Sequence, residues 1–444
     1  MAPGPTSRPV ADRAVLRTSA APPTVRAGRR NFVLAAASGA LFELGASFAD
    51  TGTVVATFLG RLTPGTTAVG AATTLARFGW LLPQLFAASY AQGVAYRKPI
   101  YLLGGSGRAV SLGALAAVLL LWDGLAKAPT IALTLFFAIW TVFSFIAGLA
   151  GASYNDVIAR TISAERRSRL LATRLFVGGA LTVGGGLLVR SVLESSSAPS
   201  LRPYGLIFGA GAIVLAASTA CFAFIREPPA PVAGQRSDFR VFLRDGIGVV
   251  QGDRAFRLFL YVQLLGGVTR MVMPFYVVQA RVIGELPELE VGTLLAAQAI
   301  GGIALNPMWG WWGDHRGKLS LLKALGVTSA VSPLLAIVLP ALSLSPEGTL
   351  AGYALVFFFV GASISGEIIG DLGYLMEISP DDRRLEYSGY MNALVAPSRL
   401  LPFVAGALLA ILSFQILFAV AVAAALLGRL AVVQRLEAAE ALRR

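Results

Sequence analysis

Long apolar runs alternate with short polar segments along nearly the whole chain. A helix needs roughly 20 mostly apolar residues to cross the hydrocarbon core of a bilayer. On that rule twelve runs read as spans: 31–58, 66–92, 99–122, 129–155, 170–193, 203–225, 256–281, 290–312, 320–343, 348–375, 387–411 and 413–433. The pattern predicts an all-α integral membrane protein. One long polar stretch, about 226–255, interrupts the array. It holds Pro228, Pro229 and Pro231, then a basic, partly amphipathic piece around Asp238–Arg257, and it divides the chain six plus six. The expected organisation is a tail over 1–29, a six-helix bundle over 30–227, a linker over 228–255, a second six-helix bundle over 256–435 and a short tail over 436–444. Residues 1–29 are rich in Pro, Ala and Arg with a single acid, Asp12, and read as disordered. A signal or transit peptide fits less well, because the apolar run after Arg30 is long enough to span and leads into further spans.

Composition agrees with this pattern. Of 444 residues 56% are apolar and 14% charged, and the mean hydropathy is +0.70. Soluble domains carry about 25% charged residues. The net charge of +13 does not point to nucleic acid, since the basic residues fall in short clusters between apolar runs. Cys221 and His315 stand alone, which removes an intrachain disulfide, Cys/His metal spacing and His-based triads. There is no nucleotide loop and no Gly-x-Ser-x-Gly elbow, so neither an enzyme nor ATP drive is expected, and no cofactor or metal.

Basic residues orient the array, because segments rich in Lys and Arg stay on the cytoplasmic side. With a cytoplasmic N-terminus, inside segments hold 28 of the 37 Lys and Arg, counting four after residue 428, and outside segments hold five. Both termini are therefore expected inside. The use of 33 Arg against 4 Lys, with abundant Ala, points to a GC-rich bacterium and a plasma (inner) membrane.

The two halves align with each other. Val69-Gly70 matches Val291-Gly292, Gly79 matches Gly301 and Gln92 matches Asp314, all 222 residues apart. Asn155 matches Asp371, Ile162-Ser163 matches Ile378-Ser379 and Arg167 matches Arg383, 216 residues apart. Related six-helix halves with a site between them are a recurring transporter plan. Gly310-Trp-Trp-Gly-Asp314-His-Arg316-Gly317-Lys318 then resembles the G-x-x-x-D-R-x-G-R/K loop of the major facilitator superfamily (MFS) and follows span 8 as it does there. His315 replaces the usual basic residue, and the first-half copy around Gln92 has lost its Gly and Asp. Arg226-Glu227-Pro228 resembles the acidic-proline ending of the sixth span, and Glu377 with Arg384 is similar to the E-x6-R pair of sugar-type members.

The resemblance implies the MFS fold, 12 transmembrane helices in two pseudo-symmetric six-helix bundles, working as a monomer in the lipid bilayer. It also implies a cytoplasmic gate at Gly310, Asp314, Arg316, Gly317 and Lys318. There Asp314 would face the start of helix 5 near Arg169 or Arg174 and hold the outward-facing state. The competing reading of that loop is a solvated, charge-rich turn. A further implication is that spans 1, 4, 7 and 10 line a central cavity. The candidates there are Glu43, Ser47 and Asp50; Trp140 and Ser144; Gln263 and Arg270; Ser363, Glu367 and Asp371. Within spans 1, 7 and 10 these residues recur at helical spacing and share a face. Charges at span centres are costly and usually face a partner or water. Arg270 suits an anion or counter-ion, and Glu43 and Glu367 suit proton coupling. Structural ion pairs are the competing reading, above all for Arg77 and Arg399. Pro274 should break span 7 beside Arg270, and Pro397 with Pro402 should bend span 11. Five glycines let span 5 pack closely, and Trp309, Trp311 and Trp312 suit an interfacial belt. The expected function is secondary active transport of a small solute by alternating access, coupled to protons or another ion, with uptake and efflux both open. The alternative is a non-transporting receptor or assembly subunit of the same fold.

Overall fold

The computed structural model describes residues 25–91, 94–195, 200–229, 239–380 and 384–441. Gln92, Arg383 and most of the expected N-terminal tail lie outside the described residues. Among the described residues the chain is helical, with no strand. The first half contains α1 (Val25–Ser47), α2 (Val54–Leu62), α3 (Thr66–Ala91), α4 (Lys98–Leu121), α5 (Pro129–Thr161), α6 (Ala164–Glu194) and α7 (Arg202–Ala223). The second contains α8 (Phe239–Gly252), α9 (Arg254–Arg270), α10 (Phe275–Val282), α11 (Val291–His315), α12 (Lys318–Val338), α13 (Pro346–Ile378), α14 (Arg384–Val395), α15 (Leu401–Leu408), α16 (Phe414–Ala423) and α17 (Leu430–Ala441). Several starts are marked in the sequence. Asp253 and Ser345 cap α9 and α13 with their side chains, and proline occupies the first turn of α4, α5 and α7, where a missing N–H costs nothing.

Ten helices among the described residues are long and apolar enough to cross a membrane. The two remaining expected spans are helical as well, α1 with α2 and α3. They are more polar: α1 opens on Arg26, Arg29 and Arg30, and α3 is rich in Thr and Ala.

Four expectations are corrected. Span 1 is not one helix, since the chain turns between Ser47 and Val54. The expected tail is helical from Val25; the partly amphipathic piece of the linker forms α8, which packs on α9 and α14. Trp309 is no interfacial residue. It is 2% exposed, and its indole N–H donates to the Ala362 carbonyl. Arg429, expected in a cytoplasmic flank, is fully buried inside the bundle.

Helices of each half pack chiefly on one another: α4 on α5 and α7, α3 on α5 and α1 on α6 and α7; then α13 on α11 and α12, and α17 on α9. The halves meet along α6 with α11 and along α3 with α15. Glycine makes the first seam possible. A Cβ on Gly292 would sit 2.2 Å from the Gly186 carbonyl oxygen, so no side chain fits there. Such small-residue contacts let helices approach where lipid gives no hydrophobic drive for association.

Candidate functional site

Span 1 and span 7 are broken at corresponding depths. In span 1 Asp50 turns the chain: its Oδ1 accepts from the Gly52 N–H at 2.9 Å and from the Thr53 hydroxyl at 2.8 Å, and α2 starts just beyond. In span 7, α9 ends at Arg270 and α10 starts after Pro274, as expected. The Arg270 carbonyl accepts instead from the Met273 N–H in a tighter turn. Asp50 and Val272 are 222 residues apart, the offset of the internal repeat. Broken helices at matched positions are the usual framing of a binding site at membrane depth.

Between the halves lie two adjoining cavities of about 440 and 260 Å³, which share Ile364 and Ile368. The smaller is lined by Glu43, Ser47 and Asp50 opposite Asn306 and Ser365. The larger is lined by Gln263, Arg270, Glu367, Asp371 and Arg399, with Arg77 reaching in from the first half. Span 4 behaves otherwise. Trp140 and Ser144 are each 1% exposed and line neither cavity. Trp140 stacks between Phe136 and Phe143 and donates to the Ala72 carbonyl, while the Ser144 hydroxyl donates to the Trp140 carbonyl. Both are core residues of the first half, and their expected place in the cavity is withdrawn. Ser363 is buried too, away from both cavities.

Three charge clusters organise the site. The central one is a buried knot within the second half. Arg270 and Arg429 donate to the two oxygens of Glu367, each at 2.7 Å, and Asp371 lies 3.6 Å from Arg429 and 4.0 Å from Arg270. Arg429 enters from a π-helical turn, Ala424–Arg429, a wider turn that swings its side chain into the bundle. Sequence reading missed this residue although its own span 413–433 contained it; the apolar flanks Leu427, Leu430 and Val432 were the available signal. Glu43, the other coupling candidate, is held by Arg174 at 2.7 Å within the first half.

The second cluster joins the halves on the face opposite the termini, and none of its residues was among the sequence candidates. Glu288 takes Arg61 at 2.7 Å, Arg281 at 3.6 Å and the Tyr204 hydroxyl. Glu290 takes Arg190 at 2.7 Å and the Thr293 hydroxyl. Arg61, Tyr204 and Arg190 belong to the first half, and both glutamates to the second. The turn delivering Glu288 contains Glu285 at φ 53°, a left-handed conformation that a side chain rarely adopts.

The third cluster lies on the face carrying the termini. Lys318 donates to Asp314 at 3.1 Å, one turn along the chain, and the Asp314 side chain is 73% exposed. Arg316 lies over the Trp312 ring, and nothing crowds Gly310. Gly317 has φ +81°, which explains the glycine at that motif position. The expected partner Arg174 is engaged with Glu43, so Asp314 and Arg174 are not brought together in this conformation. Elsewhere on this face Glu227 accepts from the N–H groups of Arg97 and Lys98 at the start of α4 and from Arg160, all within the first half. Hydrogen bonds and ion pairs between the halves lie at mid-depth and on the opposite face.

No curated protein matches the chain. Among solved structures it is similar to a bacterial homologue of the iron transporter ferroportin. In the inward-facing state that structure shares 15% identity, covering 93% of this chain and 99% of that one, with a TM-score of 0.67. In its outward-facing state with soaked iron the identity is 16%, the coverage 91% and 99%, and the TM-score 0.59. It is also similar to a D-xylose–proton symporter, at 16% identity over 90% of this chain and 96% of that one, with a TM-score of 0.65. The model of the Major Facilitator Superfamily matches residues 30–398, and the chain belongs to that family of membrane transporters.

Proposed function

We propose that this transporter moves a small solute by alternating access through the central cavity, coupled to protons, in a plasma membrane with both termini cytoplasmic. Its two bundles, 30–227 and 256–435, are the rocking bodies, and the conformation described is inward-facing. The observation that carries the reading is the set of links between the halves on the face away from the termini: ion pairs and tight helix contacts join them there, while Asp314 on the terminal face pairs within its own half. With Arg429 moved into the membrane, the terminal face still holds 27 basic residues against five, which supports its assignment to the cytoplasm.

Coupling is drawn from the fold shared with the xylose–proton symporter and from the cavity carboxylates. Glu43 is the better candidate. It lines the cavity with its side chain 31% exposed, whereas both Glu367 oxygens are occupied by guanidinium groups. The test is accumulation in proteoliposomes under an imposed proton gradient. Uptake that collapses with a protonophore supports coupling. A Glu43→Gln protein that still accumulates solute with wild-type pH dependence removes Glu43 from that role.

A further inference from the structure

We propose that the solute is a small organic dianion, gripped between Arg77 of the first half and Arg399 of the second. The proposal rests on the reading of the central cavity as the solute path. Four guanidinium groups, Arg77, Arg270, Arg399 and Arg429, surround the larger cavity or stand directly behind its wall, against two carboxylates, Glu367 and Asp371. Guanidinium groups keep their charge in proteins, so the imbalance is permanent.

The carboxylates are already taken. Arg270 and Arg429 occupy Glu367 at 2.7 Å each and flank Asp371. Arg77 and Arg399 are left over. Arg77 donates to the Met273 sulfur at 3.8 Å, and among the described residues neither arginine has a carboxylate within ion-pair distance. Asp50 is the other nearby acid; it attracts Arg77 without an ion pair, and its Oδ1 accepts from Gly52 and Thr53 in the span 1 turn. Arg77, Arg399 and Arg270 therefore repel one another across the cavity. Uncompensated like charges at membrane depth are expensive, and an anion between them relieves that cost.

The shape of the site narrows the class. A cavity of about 440 Å³ is large for a halide and suits an organic molecule. Phe259, Met391 and Val395 give it an apolar side for a carbon skeleton, while the planar forks of the two arginines match carboxylate or phosphoryl oxygens. Position explains the use of two arginines. Arg77 lies on α3, and Arg399 on the 3₁₀ turn Ala396–Leu400 that bends span 11, so the grip crosses the seam between the halves. A dianion held there touches both moving bodies at once. The sequence favoured Arg270 as the anion site; the geometry instead gives Arg270 to Glu367.

The test is thermal unfolding of the purified full chain, followed by tryptophan fluorescence at matched ionic strength. The probes are succinate, phthalate, glycerol 3-phosphate, inorganic phosphate, D-xylose and choline. At least one organic dianion should raise the Tm, and xylose and choline should not. The apparent Kd for the best dianion should weaken by about 10- to 100-fold in Arg77→Gln and in Arg399→Gln. It should recover in part in the Arg77→Lys and Arg399→Lys proteins, which also serve if a glutamine variant misfolds. Lys127→Gln, on the opposite loop, should bind as wild type. The proposal is overturned if no organic dianion stabilises the protein, if inorganic phosphate does so equally well, or if the arginine variants bind unchanged. Proteoliposome uptake of a neutral or cationic solute sinks this proposal while leaving the transport reading intact; absence of uptake for every probe that binds sinks the transport reading.

Discussion

Charges that cross between the halves and charges that stay within one half do different work in this molecule. On the face away from the termini, Glu288 and Glu290 reach from the second half to Arg61, Tyr204 and Arg190 of the first. In the bundle centre and on the terminal face, Glu367, Asp314 and Glu227 find partners in their own half. Both kinds include buried or half-buried ion pairs, and an inventory of charges does not separate them. Connectivity does. If the bundles rock as proposed, a link within one half is the same in every position and contributes to stability alone. A link between the halves then exists in one position only, and it weights the balance between the two.

Four substitutions sharpen or break that distinction. Glu367→Gln has the largest expected effect on stability, because breaking a buried pair leaves guanidinium charge uncompensated at a cost of roughly 3–5 kcal/mol. Thermal unfolding in detergent should show it as a large fall in Tm, while the balance between inward- and outward-facing forms stays put. Glu288→Gln should act the other way round. It releases Arg61 and Tyr204 across the seam, and a loss of about 2 kcal/mol shifts the balance roughly 30-fold toward the outward-facing form. A cysteine at Asn306 in a Cys221→Ser background reads this as faster labelling by an impermeant thiol reagent from outside; unchanged labelling would refute the crossing-charge argument. Glu290→Gln removes one arginine contact and should do the same more weakly, by about 1 kcal/mol. Asp314→Asn should change stability by less than about 0.5 kcal/mol, since its local pair is largely exposed. If Asp314 holds the outward-facing form, the substitution should nevertheless slow transport and lower labelling at Asn306 from outside. Wild-type transport would leave the loop as an ordinary turn.

Much of the fold was legible because the bilayer imposes long apolar segments of a nearly fixed length. Breaks were legible where proline caused them, at Pro274 and around Pro397. The span 1 break escaped because a side chain makes it. Asp50 caps a turn inside a run whose hydrophobicity hides it, although Asp-Thr-Gly-Thr is itself a turn and helix-start pattern. The candidate site was legible in part. Spans 1, 7 and 10 delivered Glu43, Asp50, Arg270, Glu367 and Asp371 to the cavities, because helical spacing puts them on one face. Span 4 misled, since Trp140 and Ser144 satisfy their polar groups on nearby carbonyls and need no water.

By itself the sequence determined that the chain is a membrane protein of two related helical halves, and which residues at membrane depth carry charge. Those are consequences of local hydrophobicity and of the repeat. Only the tertiary structure decided which charges meet. Glu288 and Arg61 are 227 residues apart, and Glu367 and Arg429 are 62 apart; no periodicity along one helix encodes such pairs. The tertiary structure also decided which charges are left unmatched. Arg77 and Arg399, which the sequence offered above all as members of structural ion pairs, face the cavity because helix packing brings α3 against the bend of span 11.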